Sequence, residues 1–99
     1  MESDLEIVQK LAVKDLGISD HQTLFSKMDR LHSWLAGEIA ILLDRDINGL
    51  MNVLYRIDVS EEKVRMAFAG DNPAFDIAGL IIERELKKVE TRRKYRSLD

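Results

Sequence analysis

An all-α fold, a compact bundle of four to five helices, two of them long, is predicted by three features of the 99-residue sequence. Apolar residues recur every three or four positions, no stretch alternates with period two as a strand would, and helix start and stop signals separate the periodic stretches. Ser3 followed by Glu6 has capping-box spacing, in which the serine oxygen accepts from the third backbone N–H and the glutamate reaches back. Leu5, Val8, Ala12 and Leu16 then trace an apolar face, and Gly17 supplies a left-handed stop, so a first helix is expected over about Asp4 to Leu16.

Ser19 and Gln22 repeat the spacing, which predicts a tight connection into a long second helix. Leu24, Met28, Leu31, Leu35, Ile39 and Leu42 form one continuous face, widened after Trp34 by Ala36, Ala40, Ile41 and Leu43. A helix apolar over most of its circumference is expected at the centre of the bundle, and if one helix face is too apolar for a single small domain, its wide face is the surface expected to self-associate. Ile47, Leu50, Met51, Leu54 and Ile57 form a third segment, either a separate helix starting at Asp46 or an extension of the second.

Asp58-Val59-Ser60 breaks the pattern, and Ser60 with Glu61 and Glu62 behind it is an N-cap with acids at the positive end of the dipole, predicting a short helix over Glu61 to Ala69. Gly70-Asp71-Asn72-Pro73 is the strongest boundary, with Asn72 as cap and Pro73 in the first turn. The last helix is expected to run to about Lys94, burying Phe75, Ala78, Ile81, Ile82, Leu86 and Val89, with Glu83–Lys87 and Glu90–Lys94 as i,i+4 pairs. Gly37 and Gly79, each beside an alanine in a long helix, mark either close helix crossings or tolerated glycines.

Ninety-nine residues suit a single helical domain, residues 1–99, with a basic tail from about 92 that is open to fraying. Hydrophobic residues make up 45% and charged residues 33%, the balance of a folded, soluble chain. The absence of cysteine removes disulfides, zinc–thiolate sites and thiol nucleophiles. The opening MESDLE lacks the basic and apolar segments of a signal peptide, and the apolar run from Trp34 to Leu43 is too short to span a bilayer, so a cytoplasmic location is expected.

The centre of the chain, Asp44-Arg45-Asp46-Ile47-Asn48-Gly49, has the oxygen ligands and glycine of the first half of an EF-hand calcium loop. The twelfth position is Tyr55, which offers no carboxylate. A capped helix junction is the better expectation, and no metal or cofactor is expected. His21 and His32 are the two histidines; Asp29-x-x-His32 alone gives a metal too few ligands. Glu38, in the apolar run, is either a buried acid with a raised pKa or part of a polar stripe with Ser33, Gly37 and Asp44. No nucleophile elbow, triad or phosphate loop is visible, so catalysis is not expected.

Residues 1–83 carry 8 basic and 15 acidic groups, a balance of −7, whereas 84–99 carry 7 basic and 3 acidic, a balance of +4. Lys87, Lys88, Arg92, Arg93, Lys94, Tyr95 and Arg96 are therefore the candidate contact residues, for a protein partner, for another copy, or for nucleic acid in the alternative reading. Phe25, Trp34, Met51, Phe68 and Phe75 are expected to pack in the core. The stretch DINGLMNVLYRIDVSEEKVR resembles segments of small, uncharacterised all-helical bacterial proteins, a resemblance that implies helices and no activity. A non-catalytic interaction or regulatory module, self-associating or bound to a protein partner, is the function these features favour.

Overall fold

The computed structural model describes residues 3–18 and 25–97. Among them are five helices: α1 (Asp4–Leu16), α2 (Met28–Arg45), α3 (Ile47–Arg56), α4 (Glu61–Ala69) and α5 (Pro73–Ser97). The local signals act where the sequence places them. Ser3 Oγ accepts from Glu6 N at 3.2 Å, Ser60 Oγ from Lys63 N at 3.4 Å and Asn72 Oδ1 from Phe75 N at 3.3 Å, each satisfying an orphan donor of a first turn. Gly17, at φ 67°, ends α1, and Ile18 N reaches back to Val13 O at 3.0 Å.

The second helix departs from expectation. Its proposed start at Ser19 and Gln22 lies outside the described residues, but Phe25, Ser26 and Lys27 are not helical, and α2 begins at Met28 with Lys27 extended at φ −133°. Phe25 explains the difference: its N–H donates to Gln9 Oε1 on α1 at 3.0 Å, and its ring meets Trp34 at 5.6 Å. An apolar residue in register with a helix face can thus pack onto that helix from outside it.

The hub is α5 rather than α2. It packs against α1, α2 and α4, whereas α2 packs mainly on α5 and α3. At 25 residues α5 is about 37 Å long, enough to serve three neighbours along its length. Helix α2 gives Leu31, Leu35 and Ile39 to the core, but Ala40 and Ile41 face outward, so only part of its wide apolar face is covered. Ile77, Ala78, Ile81, Ile82 and Val89 form the matching stripe of α5. No helix among the described residues is long and apolar enough to cross a membrane.

Gly79 permits one close approach. A Cβ there would stand 3.2 Å from Cε1 and 3.3 Å from Nε2 of His32, whereas Gly37 has open space around it. The His32 ring has little room to yield, because it stacks on Phe75 with centroids 3.8 Å apart and an 11° tilt. Its Nε2 donates to the Phe75 carbonyl oxygen at 2.8 Å, since a carbonyl only accepts. Phe75, expected in the core, is accordingly 41% exposed and covers His32 instead. Replacing Gly79 with valine should therefore cost roughly 1–3 kcal/mol by overpacking. A thermal melt and the His32 ring chemical shifts would report the loss and the displaced ring.

Candidate functional site

Asp46 breaks α2 from α3. Its N–H closes α2 on Leu42 O at 2.8 Å, its carbonyl accepts from Leu50 N at 3.1 Å, and Oδ1 accepts from Gly49 N at 2.9 Å. A Cβ at Gly49 would collide with the Asp46 carboxylate, 2.7 Å from its Cγ, so the glycine serves the cap. Asp44 lies in the last turn of α2, and Tyr55 is 81% exposed. The spacing of half a calcium loop is thus used here to join two helices.

From that junction α3 runs to Arg56 and the chain reverses. Asp58 takes the left-handed conformation at φ 65°, with its N–H on Tyr55 O and Val59 N on Leu54 O, at 3.1 and 3.0 Å. Aspartate tolerates this region better than most side chains, and Arg84 Nη2 lies 3.6 Å from Asp58 Oδ2. The reversal sends α4 onto α5 rather than back along α3. Between α3 and α4 a cleft of about 740 Å³ remains open.

The chemistry of this cleft is mixed. Leu54, Val59 and Val64, all buried, line its depth, while Met51, Tyr55 and Phe68 form exposed walls. Met51 and Phe68, expected in the core, are 41% and 36% exposed, on the walls of the cleft between α3 and α4. Asp58 and Glu61 line it beside the chain reversal, and Arg65 lines it further along α4. Its volume lies in the range that holds several side chains or a small ligand.

The basic residues singled out in the sequence lie on α5, which is helical through Ser97. Val89 is the last buried residue of that helix among those described, and Arg92, Arg93, Lys94 and Tyr95 are exposed. Arg93 pairs with Asp4 at the start of α1, Lys88 Nζ lies 3.7 Å from Glu85 Oε1, and Lys87 lines a smaller cleft with Lys63, Glu83 and Arg84. Arg96 lies within the helix, one residue beyond Tyr95. Glu83 pairs with Lys63 of α4 at 3.1 Å instead of with Lys87. The cations are therefore distributed around the helix and partly neutralised.

A carboxyl group missed by the sequence reasoning is Glu85, which has no exposed surface. Burial first, and then the Asp15 carboxyl at the end of α1, push its pKa up to about 7, with Lys88 acting in the opposite direction. Its signal was in the periodicity, for residue 85 falls on the stripe of Ala78, Ile81, Ile82 and Val89. Glu38 is half-buried on α2, and His32 lines a separate shallow cleft with Met66, Asp76 and Gly79. These groups do not converge on one cavity, and no group of three metal-ligating side chains occurs among the described residues.

No family model, curated protein or solved structure matches the chain.

Proposed function

We propose that this chain is a non-catalytic interaction module that self-associates, the groove between α3 and α4 of one copy taking the basic end of α5 from another. The observation that carries the reading is the complementarity of two exposed surfaces on one molecule. The groove joins an apolar depth to Asp58 and Glu61, and the end of α5 presents Tyr95, 69% exposed, with Arg92 one turn before it and Arg96 after it in sequence. An aromatic ring with a guanidinium group one turn before it suits an apolar slot with carboxylates at its side.

A second copy is favoured over the chain's own tail by the reach of a helix. Glu83 is held level with Lys63 of α4, and Tyr95 lies twelve residues further along α5, about 18 Å away in a direction fixed by the helix. The same end is tied to α1 through Arg93 and Asp4. The contact is therefore between different surfaces of two copies, closing into a pair if reciprocal and growing into longer assemblies if not.

The test is titration of a fluorescent peptide spanning residues 86–99, LKKVETRRKYRSLD, with the intact protein. Binding in about the micromolar range is expected, weakened roughly tenfold or more by Tyr95→Ala in the peptide or Glu61→Lys in the protein. Absence of binding, or binding unaffected by both changes, would overturn the reading. Binding of the tail to nucleic acid has less support, because Lys88 and Arg93 face carboxylates and the rest of the chain is acidic. A labelled single strand that binds the protein, weakens steeply with salt and loses binding when Arg92 and Arg96 become glutamine would replace self-association with that reading.

A further inference from the structure

Glu85 sits where a carboxylate is costly. It lies on the core-facing stripe of α5, fully enclosed, and neither oxygen has a hydrogen-bond partner. The cation on its own helix, Lys88, stands 3.7 Å from Oε1, an ion-pair distance beyond hydrogen-bond reach. The neighbour across the helix interface is Asp15 of α1. Two carboxylates offer each other only acceptors, so a hydrogen bond between them needs a proton on one.

The surrounding elements supply no other relief. Helix α2 brings Leu31, Leu35 and Ile39 to the core, and α4 brings Val64 and Ala67. From α3, the Arg56 guanidinium donates to the backbone carbonyl of Asp15 at 2.8 Å, which fixes the end of α1. On α5, Arg84 donates to the Ile57 carbonyl at 3.1 Å and faces Asp58. Among the described groups, Asp15 and Lys88 are the charges that act on Glu85.

Helix α1 is fastened by apolar and polar contacts together. It buries Val8, Gln9 and Ala12 fully, two small apolar side chains and one amide, and packs mainly on α5 with a lesser contact to α3. Leu5, Ile7, Leu11 and Leu16 pack half-buried against the core, and the polar fastenings are Arg93 on Asp4, Phe25 N–H on Gln9, and Arg56 on the Asp15 carbonyl. A charge appearing at the α1–α5 contact acts where neither Glu85 oxygen has a hydrogen-bond partner to offset it.

We propose that the α1–α5 contact is a proton-operated latch, in which protonated Glu85 holds α1 down beside Asp15 and ionised Glu85 lets α1 open. Opening would uncover the face of α5 that carries Glu85 and leave α2, α3 and α4 packed as they are. The inference is independent of what occupies the α3–α4 groove.

The sign follows from proton counting. The folded protein holds the Glu85 proton more tightly than the unfolded chain, so closure is favoured at low pH and lost as pH rises from about 4.5 to about 7. The experiment is hydrogen exchange of the intact protein between about pH 5 and pH 8, with rates corrected for intrinsic base catalysis. Protection of α1 amides should fall by roughly tenfold or more across that window while the core of α2 stays protected. Glu85→Gln, which cannot ionise, should abolish the pH dependence of α1 protection; equal pH dependence in both proteins would overturn the latch. Should the glutamine variant not fold, the wild-type Glu85 side-chain carboxyl resonance decides: a midpoint near 7 supports the latch, and one near 4.5 rejects it.

Discussion

Leu35→Ala should destabilise the protein by about 3 kcal/mol and lower its melting temperature by about 15 °C. Leu35 is wholly buried on α2, between Leu31 and Ile39, in the contact of α2 with the hub helix α5. Truncation removes three buried carbons and leaves a cavity between two long helices that are held at several other points and cannot easily collapse. A domain of this size has about 5–10 kcal/mol in all, so a large share of its stability would go. The check is chemical denaturation: the midpoint should fall with little change in slope, because the surface exposed on unfolding is almost unaltered. Ile41→Ala on the same helix is the control. That side chain is half exposed and should cost well under half as much.

Glu85→Leu should act in the opposite direction and depend on pH. At pH 8 the wild-type carboxyl is ionised in a buried site, and a pKa of about 7 against 4.5 for the free group corresponds to a penalty of about 3 kcal/mol. At pH 5 the folded protein keeps the proton and the penalty falls below about 1 kcal/mol. Leucine has a similar shape, needs no hydrogen bond and extends the stripe of Ile81, Ile82 and Val89. The variant should therefore be more stable than wild type by roughly 2–3 kcal/mol at pH 8, with the advantage shrinking toward pH 5. Thermal melts at the two pH values provide the measurement. A variant less stable than wild type at pH 8 would mean that the Lys88 pairing outweighs the burial cost.

The helix ends were legible because they depend on chemistry within four residues. Ser3, Gly17, Ser60 and Asn72 each form the local bond or backbone turn that their neighbours imply. What depends on more distant parts of the chain was less legible. Leu24 and Phe25 continue the α2 periodicity, yet Phe25 is bonded to Gln9, sixteen residues earlier. The width of an apolar face also does not identify the hub: α2 has the broader face, but α5 has the length to meet three helices.

The site divides along the same line. Met51, Tyr55 and Phe68 are exposed on the walls of the cleft between α3 and α4, a placement that depends on how the two helices pack, and periodicity alone assigns Met51 and Phe68 to the core. The basic end of α5 was visible as a charge run, but the pairings of Lys88 with Glu85 and Arg93 with Asp4 required the packing of the helices. Attention to acids on apolar stripes selected Glu38, where Glu85 satisfied the same criterion on a better-buried face.

Self-association through the groove and the α5 end can be read from the mass of the protein in solution. Sedimentation velocity of the intact chain at low salt, from about 10 µM to about 1 mM, should show a weight-average mass that climbs above the monomer value of 11.4 kDa. Tyr95→Ala and Glu61→Lys should each hold it near the monomer, and raising the salt should shift the wild-type curve to higher concentration. A wild-type chain that remains monomeric at about 1 mM in low salt would contradict the proposal.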